Sequence, residues 1–331
     1  MTKPPSTLAE EVRERVADRR SYESVIERLN KASVDKHWEA YADIPWDDPD
    51  LQVDPDDPRW TLPPTDRLGG TEWYRGQPPQ VQARIGLWRV ATAMKIGLQF
   101  ENLLKRGLLT YAYKLPNGRP EFRYVYHETT EECHHGMMFQ EFVNRTGMPI
   151  RGMPRSLSRV AQLAPMIPRL DTELFFVFVL GGEDPIDYVQ RRHLKDGHIR
   201  HPLEETILKI HIAEEARHIS FARHYLKHRV PAMGRLRRRA LALLTPVILG
   251  VMARIMLSPP GPMVRHFKIP KAVVREVYKN EAGRAELRDC VGKVRDLAAE
   301  LGLIDGVSRR VWQVFGIWDE PRVRRATAGT P

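Results

Sequence analysis

Two five-residue segments carry the chemistry that this chain could perform: Glu131-Glu132-Cys133-His134-His135 and Glu214-Glu215-Ala216-Arg217-His218. Each holds a Glu-x-x-His pair. On a helix of about 3.6 residues per turn, positions i and i+3 share a face, so each segment can aim a carboxylate oxygen and an imidazole nitrogen at one point. Helix bundles bind two metals in this way, with two helices each giving such a pair and two others each giving a single inward Glu. Glu131 with His134 is a rival pair one residue out of phase. Matching the doubled Glu and final His of the second copy selects Glu132 with His135.

Spacing supplies the other two carboxylates. Glu101 stands 31 positions before Glu132 and Glu183 stands 32 before Glu215, so each half reads as a lone-Glu helix followed by a Glu-x-x-His helix. Gly182 and Pro185 disturb the helix around Glu183, and Glu173 is the alternative on that segment. His211 lies four residues before Glu215, and positions 211, 215 and 218 form one continuous helical face. Its counterpart in the first copy is Glu128, read as an outer or reserve carboxylate. The predicted metal ligands are Glu101, Glu132, His135, Glu183, His211, Glu215 and His218. Four uncompensated carboxylates would be very costly in an apolar bundle, whereas two divalent cations bring four positive charges against their four negative ones. Carboxylates and imidazoles without thiolates suit iron, or a manganese–iron pair, better than a closed structural zinc site. Cys133 has no basic or cysteine partner in view and reads as a small buried residue.

These residues need an all-α frame. The spacing predicts an N-terminal helix over 7–32, then an irregular Asp-, Pro- and Trp-rich arm over 33–79 anchored by Trp38, Trp46, Trp60 and Trp73. A helix over 79–111 carries Glu101 within an apolar stripe, and one over 121–146, ended by Gly147, carries the first copy. The apolar run 174–180 is short and partly β-branched enough to be a strand. Its place between two helical copies makes it part of a helix over 168–195, kinked near Pro185. The second copy rides on a helix that starts after Pro202 and runs to about Arg229. An apolar helix over 240–256 and a long amphipathic helix over 270–302 follow. The whole reads as one domain: helix and arm over 1–78, a metal-binding four-helix bundle over 79–230, and further helices over 231–331.

Composition agrees with a soluble globular protein. Of 331 residues 42% are hydrophobic and 28% charged, two are cysteines, and the first thirty residues contain no apolar stretch, which points to the cytoplasm. The net charge of +10 is concentrated in Arg235-Leu236-Arg237-Arg238-Arg239 and Arg322-Val323-Arg324-Arg325, with no interleaved aromatic motif, so nucleic acid is not expected as a partner. Residues 240–256 contain Pro246 and Arg254 and are short for a bilayer crossing, so a buried or dimer-forming helix is expected in place of membrane contact. A homodimer is the expected assembly.

The quoted residues resemble the p-aminobenzoate N-oxygenase (AurF) family of di-iron proteins, within the ferritin-like superfamily. The likeness runs from about Trp38 to Val230. It includes the arm from Trp38 to Asp47, the helix with Glu101, the first EExxH segment, Gly182-Glu183, and His211-x3-Glu215-x2-His218, whose third histidine generic ferritin-like sites lack. The resemblance implies a ferritin-like bundle in which Glu132 and Glu215 bridge two irons, Glu101 and His135 complete one, and Glu183, His211 and His218 complete the other. It also implies an O2-dependent monooxygenase that oxidises an aromatic amine toward hydroxylamine and nitro products through a peroxo-diferric species. No flavin, NAD or iron–sulfur motif occurs, so a separate reductase or small redox carrier would supply electrons. Two other readings are a di-iron oxygenase acting on an aliphatic or lipid-like substrate, and a ferritin-like ferroxidase or iron store. Length disfavours storage, because a bare bundle needs about half of this chain.

Overall fold

A computed structural model of the chain describes residues 8–320 other than Lys279; the basic tail at Arg322, Arg324 and Arg325 and the expected helix start at position 7 lie outside them. Among the described residues every regular element is helical. Helix α1 spans Leu8–Asp35. The arm that follows is irregular, as its prolines require, but it is pinned. Asp48 and Asp57 accept hydrogen bonds from the amides of Asp50 and Arg59 and so cap two 3₁₀ turns. Trp46 and Trp60 are buried, and their indole N–H groups donate to the carbonyls of Ala40 and Asp54 at 2.8 and 2.9 Å. Trp38 and Trp73 are only half-buried. The short α2 (Glu72–Arg75), capped by Thr71, ends the arm.

Four long helices form the bundle. α3 (Pro79–Ala112) and α4 (Pro120–Arg145) each open with proline, whose missing N–H is no loss in a first turn. α4 stops where Gly147 takes φ 61°, a left-handed conformation that glycine adopts without strain. The short α5 (Arg155–Ala161) and α6 (Ile167–Leu170) lead to α7 (Thr172–Lys195). α7 starts at Thr172 because Asp171 is extended and its side chain accepts from the Leu174 amide at 2.8 Å. The apolar run 174–180 is helical, and α7 continues through Pro185. α8 (Pro202–Arg229) is capped by the His201 side chain.

α3 packs on α4 and α7 on α8; the pairs meet through α3 with α7 and α4 with α8, and α1 lies across α4 and α8. Gly182 sets how closely α7 approaches α3, since a Cβ there would lie 1.9 Å from the Phe100 ring. Aromatic side chains fill one end of the bundle, with the Phe176 ring centre within 4.3–5.4 Å of those of Tyr111, Phe175, Phe221 and Tyr225.

The C-terminal third wraps α7. α9 (Arg235–Leu257) buries Leu241, Leu249 and Ala253 and packs on α7. The stretch Arg235–His266 is long and apolar enough to cross a membrane by composition, but 44% of its apolar window is buried inside the protein. α10 (Gly261–His266) follows. The single long helix expected over 270–302 is instead three: α11 (Lys271–Tyr278), α12 (Glu281–Cys290) and α13 (Gly292–Glu300). Asn280 is extended, and its side chain accepts from the Gly283 amide at 2.8 Å, which starts a new helix in mid-pattern. Val291 at φ −98°, ψ 4° makes the second break. α14 (Gly306–Val314) closes on α9 under an Asp305–Ser308 capping box.

Candidate metal centre

The four bundle helices bring the predicted ligands to one place. Glu101 comes from α3, Glu132 and His135 from α4, Glu183 from α7, and His211, Glu215 and His218 from α8; all seven are buried. Their donor atoms form two groups, Glu101 with His135 and His211, and Glu132 with Glu183, Glu215 and His218, each with its donors within 4.8 Å of one another. His211 therefore sits with Glu101 and His135, and not with Glu183 and His218 as the resemblance implied. Its Nε2 lies 3.5 Å from Glu101 Oε1 and 3.4 Å from Glu215 Oε1. Glu215 Oε1 is also 3.5 Å from His135 Nδ1 and 3.4 Å from His218 Nδ1, so it stands between all three imidazoles. Glu132 reaches His218 Nδ1 at 3.1 Å and His135 Nδ1 at 3.5 Å.

Each imidazole turns one nitrogen to the cluster and bonds a protein group with the other. His135 Nε2 is 2.8 Å from Glu214 Oε2, and His218 Nε2 is 2.8 Å from Glu131 Oε2. The first acid of each EExxH segment thus holds the histidine of the opposite segment. His211 Nδ1 is 2.9 Å from Gln190 Oε1. Assigning the protons to these outer nitrogens leaves a lone pair on Nδ1 of His135 and His218 and on Nε2 of His211, aimed at the cluster. Arg217 Nη2 ties the crossed acids together, 3.0 Å from Glu131 and 3.4 Å from Glu214.

Sequence reasoning missed Glu131, Glu214, Gln190 and Arg217. The doubled Glu in both copies was the available signal for the first two. Gln190 falls seven residues after Glu183, on the same helical face. The rival His134 turns away, its Nδ1 accepting from the Ala40 amide at 3.3 Å. Glu173 is far from the cluster and pairs with Arg229 and Arg237. Lys105 donates to the Glu132 backbone carbonyl at 3.1 Å and forms no ion pair with Glu101. Cys133 is exposed, contrary to the buried position expected, because it occupies the outer face of α4.

Electrostatics mark the cluster as built for cations. Both oxygens of Glu101, Glu132 and Glu183, Oε2 of Glu215, and Nδ1 of His135 and His218 are buried without a hydrogen bond. Buried carboxylates are ordinarily satisfied, so so many in one place call for positive charge. Burial, reinforced by Glu132, pushes the Glu101 carboxyl up to about 8. Burial, reinforced by Glu215, pushes Glu183 well above the usual range. Glu132 goes the other way: burial would raise it, but the close approach of the His135 and His218 imidazoles outweighs that and holds it low. Burial drives His211 down to about 4, so its imidazole is neutral at physiological pH and could offer a lone pair. Divalent cations bound there would compete with protons for the Glu101 and Glu183 carboxylates. Glu128 is also wholly buried with both oxygens unbonded, and burial raises it well above the carboxylate range.

A cavity of about 170 Å³ touches the centre on one side. Glu101, Glu132, Glu183, His211 and Glu215 contribute to its wall, together with Val90, Ala93, Met94, Ile96, Phe100, Phe139, Val189 and Leu208. His135, His218, Glu131 and Glu214 do not line it, and the arm closes that far side, where the Trp38 amide donates to Glu214 at 3.3 Å. A larger chamber of about 890 Å³ adjoins the cavity across Arg89, Ala93, Ile96, Ile186, Val189, His193 and Met256, which line both.

Comparison with known proteins gives a consistent result. The model of a family described as P-aminobenzoate N-oxygenase AurF matches residues 19–302. The uncharacterized protein MT0908 of Mycobacterium tuberculosis strain CDC 1551 is 41% identical over 307 residues, covering 92% of this chain and 90% of its own length. The uncharacterized proteins Mb0909 of Mycobacterium bovis and Rv0885 of M. tuberculosis strain H37Rv match to the same extent. No solved structure matches significantly.

Proposed function

The chain belongs to the p-aminobenzoate N-oxygenase family of di-iron oxidoreductases, and from that premise we propose that it is an O2-dependent monooxygenase that N-oxygenates an aromatic amine. The observation that carries the reading is the two groups of ligand atoms opening onto a mostly apolar cavity. Its volume, about 170 Å³, is close to the roughly 150 Å³ of an engineered apolar cavity that takes up benzene, so one aromatic ring fits.

The ligands proposed are Glu101, Glu132, His135, Glu183, His211, Glu215 and His218. Two irons held there would supply dioxygen binding and reduction. The first oxygenation converts R–NH2, O2, two electrons and two protons into R–NHOH and water, so a reductase or small redox carrier must deliver the electrons. The protein's own groups do the rest. Glu131, Glu214 and Gln190 keep protons on the outer nitrogens of His218, His135 and His211, which fixes each ring. Phe100, Phe139, Met94 and Leu208 keep water from the reacting end of the substrate. Fe(II)-loaded protein, given a chemical reductant, ¹⁸O2 and p-aminobenzoate, should yield labelled hydroxylamine or nitro product by mass spectrometry. Iron-replete protein that consumes oxygen without forming either product would refute the arylamine reaction.

A second reading, oxygenation of an aliphatic chain, draws on the cavity lining. Apart from the ligands, its polar groups are already paired: Arg89 with Asp66 at 2.7 Å, His193 with Glu204 at 2.8 Å, and Gln190 with His211. Screening alkyl substrates beside arylamines on the same loaded enzyme separates the two. We also propose a cytoplasmic homodimer. Leu170 and Leu236 are each 87% exposed and lie next to the ion pair of Asp171 with Arg237, which supports an apolar face for a second copy. Sizing tests this, and a mineral-filled shell would instead mean storage.

A further inference from the structure

The inner cavity has nothing with which to hold a negative charge. Its metal ligands include four carboxylates, and its one guanidinium, Arg89, is occupied by Asp66. The outer chamber is the opposite. Seven arginines and three acids contribute to its wall. Every one of those acids is already neutralised: Asp66 by Arg89, Asp196 by Arg200, and Glu286 by Arg67 and Arg192. Arg254 donates to the Phe315 carbonyl at 2.8 Å, which satisfies an N–H without cancelling its charge. Arg151, Arg155 and Arg265 have no acidic or hydrogen-bonding side-chain partner among the described residues, although all three line the chamber.

Arg151 and Arg155 flank a short segment pinned to α3, with Arg155 the first residue of α5. Gln99 of α3 accepts from the Met153 amide at 2.7 Å. Gly152 lies so close that a Cβ there would be 2.1 Å from the Gln99 side chain. The chain between Arg151 and Arg155 is therefore held against the helix that also carries Glu101. Arg265 belongs to α10, whose Met263 is fully buried against the Trp88 side of the core. Arg151, Arg155 and Arg265 are solvent-exposed, and unpaired arginines on anchored backbone round a chamber can make charge-assisted, bidentate contacts with phosphate or carboxylate oxygens.

We infer that the substrate is an elongated amphipathic anion, its phosphate or carboxylate end held by Arg151, Arg155 and Arg265 in the outer chamber and its uncharged reacting end in the inner cavity beside the metals. This rests on the reading of the centre as an oxygenase, and it makes the natural substrate longer than p-aminobenzoate itself. The shared lining, apolar at Ala93, Ile96, Ile186, Val189 and Met256 and flanked by Arg89 and His193, each already paired with an acid, is the passage that the middle of such a molecule would occupy.

Calorimetric titration of the iron-loaded protein under nitrogen tests the idea without turnover, using decyl phosphate, decanoate, decanol and inorganic phosphate, the amphiphiles kept below micelle-forming concentrations. One or both decyl anions should bind at least about tenfold more tightly than decanol and than inorganic phosphate, and their order tells phosphate from carboxylate. The triple variant Arg151→Ser/Arg155→Ser/Arg265→Ser should lose that preference while keeping its iron and its helical circular dichroism. Arg155→Ser alone, at an exposed site, gives a smaller loss should the triple variant not fold. Equal binding of decanol and the decyl anions, inorganic phosphate binding as well as decyl phosphate, or an unchanged folded variant would each overturn the inference. Anion binding as expected without any oxygen-dependent product would sink the oxygenase reading instead. Arylamine oxygenation with no anion preference would leave that reading and remove this one.

Discussion

In α4 and α8 the leading acids do the same work: Glu131 holds the histidine of α8, Glu214 holds the histidine of α4, and both contacts are 2.8 Å. The intervening positions diverge. Cys133 and Ala216 both point outward, but His134 turns to the arm while Arg217 turns inward and reaches both acids. One turn upstream the contrast is larger. His211 places a nitrogen between Glu101 and Glu215, whereas its counterpart Glu128 bonds nothing. The matching parts aim the ligands, and the mismatched parts give the centre two unlike sides. His211 lines the cavity; Glu128, His135 and His218 do not. On the proposed reading, oxygen and substrate would approach from the cavity face.

Breaking the shared frame should have the largest effect. Glu215→Ala removes the oxygen that stands between all three imidazoles, and elemental analysis should find neither metal retained. Retention of both would show that the two groups are independent sites. Glu131→Gln and Glu214→Gln should each weaken iron binding by about 10–100-fold, and by similar factors, because the crossed contacts are equivalent. A clear inequality would break the symmetry claimed for them. His211→Ala should lower iron content or oxygen reactivity, whereas Glu128→Gln should keep the metals and leave thermal stability equal or higher, since it replaces a buried acid that has no partner. If the Glu128 variant loses iron, the two positions are more alike than their contacts indicate. Gly182→Ala forces Phe100 aside on the α3–α7 face and should cost about 1–3 kcal/mol in chemical denaturation. The smallest effect belongs to Cys133→Ala, which makes the first copy resemble the second at an exposed position and should change stability by less than about 0.5 kcal/mol.

Much of the fold was legible because helix starts are written locally. The helix expected after Pro202 opens at that proline, those expected from about 79 and 121 open at Pro79 and Pro120, and Gly147 ends one. The long helix expected over 270–302 failed because Asn280 has the side chain to cap a new helix there, and an amphipathic pattern does not register such a break. Cys133 was misplaced because the usual burial of cysteine was weighed above the helical pitch, which turns position 133 away from the face shared by Glu132 and His135. At the centre, the repeated segments and matching spacings named the seven residues that the bundle gathers. They did not name Arg217 or Gln190, whose roles depend on which helix lies opposite.

The sequence by itself determined which residue types share a helical face, since i, i+3 and i+4 neighbours follow from the pitch of the helix alone. Glu132 with His135, and His211 with Glu215 and His218, are settled at that level. Only the tertiary structure decided the partition of the donors, with His211 beside Glu101 and His135. That contact joins α8 to α3 and α4, and its geometry is set by how the helices cross, including the close approach that Gly182 permits. The apolar cavity on one side and the arginine-lined chamber beyond it belong to the same level, because each is walled by residues far apart in the chain.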